Sequence, residues 1–112
     1  MKKISFLAQD YREMEESANS IFNRWVRTWD MSNTNPLKML KREDIQCEMA
    51  NAMVDDYIYT NATHPIVQEM AEDASCKDWS DEDEDFYNEN CHMIFIAMRA
   101  FLTKLINGYV GE

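Results

Sequence analysis

Apolar side chains recur at steps of three and four along most of this chain. Leu7, Tyr11, Met14, Ala18, Ile21, Trp25 and Val26 form one stripe, widened by Phe22 and Trp29, and predict a first helix from about Leu7 to Asp30. Ser32, Asn33, Thr34 and Asn35 end it in a loop. Asn35-Pro36 opens a short second helix, with Asn35 as cap, Pro36 at its first position and Leu37 and Leu40 facing inward. Asp44 is the expected cap of a third helix, whose apolar positions are Ile45, Met49, Ala52, Met53 and Tyr57, extended by Ile58 and Tyr59. Pro65 forces a break near His64, because the residue before proline is pushed out of the helical region. Thr63 then caps a short fourth helix with Ile66, Val67, Met70 and Ala74 on one side and Glu69, Glu72 and Asp73 on the other. Ser80 with Asp83 reads as a capping box that opens the last helix. Tyr87, Cys91, Ile94, Met98, Phe101 and Leu105 carry its repeat, and Met93, Phe95, Ile96, Ala97 and Leu102 make its middle apolar nearly all round. That pattern predicts a buried central helix, closed at Asn107-Gly108 by a left-handed glycine.

Composition agrees with this reading. The only turn-forming glycines and prolines are Gly108, Gly111, Pro36 and Pro65, too few for the many turns of an all-β fold. A chain of 112 residues, 46% hydrophobic and 12% aromatic, is sized for one domain (1–112) and is too apolar to be disordered. The expected architecture is all-α: a compact bundle of about four to five helices with a long buried C-terminal helix. Cys47, Cys76 and Cys91 have no motif spacing and read as reduced thiols. Lys2 and Lys3 precede only the short apolar run Ile4 to Ala8, too brief for a signal-peptide core or a membrane span. A cytoplasmic location follows as an expectation, with no membrane partner. The sequon Asn61-Ala62-Thr63 is discounted on the same ground.

Charge changes the picture. The net charge is −10, and it is unevenly placed: residues 1–42 carry +3, residues 43–98 carry −14 with Lys77 as their lone base, and the remainder carries +1. Such a surface repels phosphates, so direct nucleic-acid binding is disfavoured, and the small basic excess of the first 42 residues supports it only weakly.

No catalytic or metal signature completes itself. Reading Asp81 as the start of a calcium loop puts Phe86 where the loop needs glycine and His92 where it needs a bidentate glutamate. Glu89-x-x-His92 is a di-iron half-motif without a second copy. Glu13-x-x-Glu16 and Glu69-x-x-Glu72 share the spacing of magnesium-binding carboxylates in all-α nucleotide pyrophosphatases, but no phosphate-binding bases accompany them. A glycine-rich phosphate loop is impossible with glycine confined to positions 108 and 111. The expectation is a non-enzymatic protein with no cofactor and no metal.

What remains is the acid field. Like charges four apart, as in Asp81, Asp85 and Glu89, destabilise a helix by about 0.2–0.5 kcal/mol per pair, so stability alone does not favour them. Carboxylates at that step lie about 6 Å apart along a helix axis, close to the spacing of phosphates along a nucleic-acid strand. Asp55, Asp56, Glu69, Glu72, Asp73, Asp81, Asp83, Asp85 and Glu89 are the candidate binding residues.

The acidic entry Glu43-Asp44-Ile45, followed by Met49-Ala50, Val54 and Tyr57, then a break and a long final helix, resembles the antirestriction DNA mimics of short-tailed phages. It differs from them in its basic N-terminal third and in lacking their acidic C-terminal extension. The resemblance implies an acidic helical inhibitor, dimeric in that family, that occupies the basic groove of a DNA- or RNA-handling defence enzyme such as a restriction or CRISPR protein. It would act in the host cytoplasm if phage-encoded. Two other readings stay open. One is a helical interaction or assembly module that uses Trp25, Trp29, Phe101 and Tyr109 while its acids keep it soluble; the other is an all-α metal-dependent nucleotide pyrophosphatase.

Overall fold

The stripe from Leu7 onward forms helix α1, Ala8–Met31, in the computed structural model, which describes residues 5–73 and 81–110. The side chains of Asp73, Asp83 and Val110 lie outside that description. The chain continues through α2 (Pro36–Leu40), α3 (Glu43–Asp56), a π-helical turn (Tyr57–Asn61), α4 (Pro65–Asp73) and α5 (Asp81–Val110), with no strand among the described residues. Nor is any described helix long and apolar enough to cross a membrane.

Helix ends follow local hydrogen-bond chemistry. The Asp10 carboxylate accepts the Leu7 N–H at 2.7 Å, closing the start of α1. At its end Asn33 takes a left-handed φ of 59°, the Thr34 N–H bonds Trp29 C=O at 2.8 Å and the Asn33 N–H bonds Asp30 C=O at 3.2 Å. This is a Schellman turn, with asparagine in the position glycine usually fills. Asn35 caps α2 as expected, its Oδ1 accepting the Leu37 N–H at 3.0 Å. The last carbonyl of α2, on Leu40, accepts from Gln46 Nε2 at 2.7 Å.

Several expectations are corrected. Leu40 is buried, but Leu37 is 40% exposed, because a five-residue helix buries one face and Pro36 and Leu40 occupy it. The residue at the α3 cap is Arg42, and Asp44 lies within the first turn, where the Arg42 guanidinium binds its carboxylate at 2.7 Å and holds its pKa below the usual range. Thr63 does not cap α4. His64 does, its Nδ1 accepting the Ile66 N–H at 3.2 Å, while Thr63 is drawn away to Glu13. Tyr59 is exposed, since the π-turn rotates it off the buried face. The α5 helix is not buried all round: Ile94, Met98 and Leu102 are buried, while Met93 and Ile96 face outward. Gly108 does not close α5, which runs on to Val110, and no described glycine has a positive φ. Ala74 and the Ser80 half of the expected capping box lie outside the described residues.

The core joins α1, α3 and α5, with α4 and the π-turn closing one end. Met14, Met49, Met53, Met70 and Met98 are all fully buried, an unbranched, adaptable filling between helices. At 30 residues α5 is about 45 Å long by its rise, matching the 45 Å long axis of the molecule.

Candidate functional site

Contacts between helices fix which helix ends meet. The Tyr59 and Tyr87 hydroxyls are 3.2 Å apart, and Arg99 Nη2 is 3.0 Å from Glu43 Oε1, so α5 runs antiparallel to α3. Asn61 donates to Ser17 Oγ at 2.6 Å, placing the end of the π-turn against the first half of α1. Glu13 meets Thr63 while Ser17 meets Asn61, so α1 runs opposite to the segment leaving α3, as α5 does to α3, and the Phe22 and Tyr109 rings, edge-on at 6.1 Å, bring the later part of α1 to the end of α5. The starts of α1 and α5, the end of α3 and the π-turn with α4 therefore share one end of the molecule.

That end collects the acids. Positions 8–16, 55–73 and 81–89 carry fifteen Asp and Glu residues, with Arg12 as their only Lys or Arg. Among the candidates, Asp55, Glu69, Glu72, Asp81, Asp85 and Glu89 are exposed. Asp56 is half-buried, with its Oδ2 3.4 Å from Asn61 Nδ2, which leaves it a poorer contact residue than its neighbours. The side chains of Asp73 and Asp83 lie outside the described residues. The ion pairs among the described residues, Arg42–Asp44 and Arg99–Glu43, both belong to the opposite end, where Arg24, Arg27, Lys38, Lys41 and Lys104 also lie.

Beneath the acidic end sits a buried polar node that the hydrophobic pattern did not single out. The Glu13 carboxylate accepts from the Thr63 N–H at 3.2 Å, Thr63 Oγ1 at 2.7 Å and Gln9 Nε2 at 3.2 Å. Burial raises its pKa, but these hydrogen bonds and the nearby His64 together outweigh burial and leave it below 4.5. Next to it the Tyr57 hydroxyl is buried without a hydrogen-bond partner among the described residues, and burial, with the charges of Asp10 and Glu13, pushes its pKa far up. The signal for this node was present in the spacing: Asp10, Glu13 and Ser17 repeat at steps of three and four, forming a polar row beside the apolar one.

The node also bears on metal chemistry. Glu13 is engaged as a structural acceptor, while Glu16, Glu69 and Glu72 are exposed, and among the described residues no three His, Cys, Asp or Glu side chains converge as a metal site. Glu89 and His92 are both on the outside of α5.

Among the described residues, two grooves lie along α5. The one against α3, of about 450 Å³, is lined by Cys47, Asp55, Tyr87, Cys91 and His92 among others. Burial holds the Cys91 thiol above its ordinary pKa and Asp55 adds to this, so it stays protonated and a weak nucleophile. The other groove, against α1, is about 440 Å³ and has a largely apolar floor of Ala18, Phe22, Phe101, Leu105 and Tyr109. Trp25 and Trp29 lie further along α1, half-buried and edge-on to each other at 6.1 Å.

No family model, curated protein or solved structure matches this chain.

Proposed function

We propose that the chain is a non-enzymatic decoy, which presents carboxylates to the basic groove of a DNA- or RNA-handling protein and competes there with nucleic acid. The observation that carries this reading is the gathering of acids from four separate helices at one end of the molecule. Asp81, Asp85 and Glu89 supply the row at phosphate-like spacing, Asp55 lies across a groove from α5, and Glu69 and Glu72 stand on α4 at the same end. A field of one sign on one end steers a basic partner onto that end and makes the encounter salt-sensitive. The protonated Cys91 thiol and the structural engagement of Glu13 favour a binding role over catalysis.

The test is capture from bacterial lysate on the immobilised chain, at low and at high salt, with and without competing DNA. A parallel bait carries Asp55→Asn, Asp81→Asn, Asp85→Asn and Glu89→Gln. Nucleic-acid enzymes held at low salt, released by DNA or salt, and absent from the substituted bait are the expected result. Capture that survives salt and the substitutions overturns the reading.

That second outcome would favour a helical interaction module instead. Its support is the apolar groove between α1 and α5, with Phe22, Phe101 and Tyr109 along its floor.

A further inference from the structure

The end opposite the acids has its own character. On α1, Arg24, Arg27 and Met31 follow one another at steps of three and four and are all exposed. The Schellman turn at Asn33 then folds α2 back beside them, and because Pro36 and Leu40 face inward, Leu37, Lys38 and Lys41 face outward. Dispersed over positions 24–41 of the chain, these six residues show no amphipathic membrane helix, and only the turn gathers them into one tip. Met31 is 80% and Leu37 40% exposed, on a hairpin whose other outward residues include Arg24, Arg27, Lys38 and Lys41. Asp30 is the acid on this hairpin, while the nearby Glu43 and Asp44 are each paired to an arginine.

We propose that this tip is a docking surface for an anionic lipid bilayer. Exposed aliphatic side chains on one hairpin with Lys and Arg suit the boundary between headgroups and acyl chains, where the apolar groups enter and the cations meet lipid phosphates. Nucleic acid fits the tip less well, since it offers aliphatic groups rather than rings on which bases stack. The net charge of −10 does not forbid docking. The molecule is 45 Å long, and fifteen of its 21 acids belong to the other end, separated from Met31 by more than the Debye length of about 10 Å at 0.1 M salt. Docked this way, the tip faces the bilayer and the acidic end faces away from it.

The experiment is co-sedimentation of the full chain with vesicles of phosphatidylcholine alone and of phosphatidylcholine with phosphatidylglycerol, with tryptophan emission as a second readout. Binding to the anionic vesicles only, weakened by salt and accompanied by a blue shift from Trp25 and Trp29, is expected. Lys38→Gln and Lys41→Gln should each lower the partition coefficient roughly fivefold, and Met31→Ser should lower it further. Asp81→Asn with Asp85→Asn should leave it unchanged, which separates this surface from the decoy end. All these positions are exposed, and circular dichroism checks that each variant folds. No preference for anionic vesicles, or retention of a DNA duplex without any vesicle binding, overturns the proposal.

Discussion

Glu13 and Thr63, fifty positions apart, are joined twice: the Thr63 N–H and Oγ1 both donate to the Glu13 carboxylate. This contact fastens the segment leaving the π-turn to α1, and it removes Thr63 from the cap position of α4. Hydrogen bonds to a charged group contribute about 1.5–3 kcal/mol where the acceptor is buried. Glu13→Gln, which turns an acceptor into a donor facing other donors, is therefore expected to cost an amount in that range in urea unfolding. Thr63→Val, which keeps the backbone N–H, is expected to cost less.

The same carboxylate gives the fold a specific acid sensitivity. Its pKa is lower in the folded state than the ordinary value of 4.5, so ionised Glu13 contributes stability that is fully present above about pH 4.5. That contribution is lost as the pH falls through the folded value. The difference in unfolding free energy between the native chain and Glu13→Gln should be constant at neutral pH and shrink below pH 4.5. A difference that grows on acidification would contradict this assignment.

Tyr57 leads to the opposite expectation. Its ring is fully buried, but its hydroxyl has no partner among the described residues and lies in the field of Asp10 and Glu13. An unsatisfied buried hydroxyl costs about 1–3 kcal/mol of desolvation, and phenylalanine keeps the ring while discarding that cost. Tyr57→Phe should leave the midpoint of thermal unfolding unchanged or raise it. A clear loss would mean that a bound water satisfies the hydroxyl.

The acidic end should make stability depend on salt. Asp81, Asp85 and Glu89 form two like-charge pairs four residues apart, each destabilising by about 0.2–0.5 kcal/mol when unscreened. Raising the salt should therefore raise the melting midpoint by a few degrees in this chain, at about 4–8 °C per kcal/mol for a domain of this size. The substitutions Asp81→Asn and Asp85→Asn should reduce that rise.

Much of the fold was legible because its apolar residues keep strict helical spacing: α1 from Ala8 to Met31 and the Ile94, Met98 and Leu102 seam of α5 follow from it directly. Cap assignments transferred less well. Which of Thr63 and His64 closes α4 depends on Glu13, and one-dimensional spacing does not reveal a competing acceptor fifty residues away. The acid run was visible in the sequence, but the convergence of its parts depends on the antiparallel pairing of α3 with α5. The polar row Asp10, Glu13 and Ser17 carried a signal that a search for apolar periodicity passes over.

Gly108 offers the sharpest test of a local reading that failed. Sequence spacing places it as a left-handed helix stop, whereas in the fold it is an ordinary helical residue inside α5. The two conformations respond oppositely to a side chain. In a left-handed position a Cβ is strained, while in a helix interior alanine is favoured over glycine by about 0.5–1 kcal/mol. A Cβ built at Gly108 meets nothing within 4 Å, so no packing cost offsets that gain. Gly108→Ala should accordingly stabilise the chain by about 0.5–1 kcal/mol in denaturant unfolding. A loss of similar size would mean that α5 ends at Asn107 in solution.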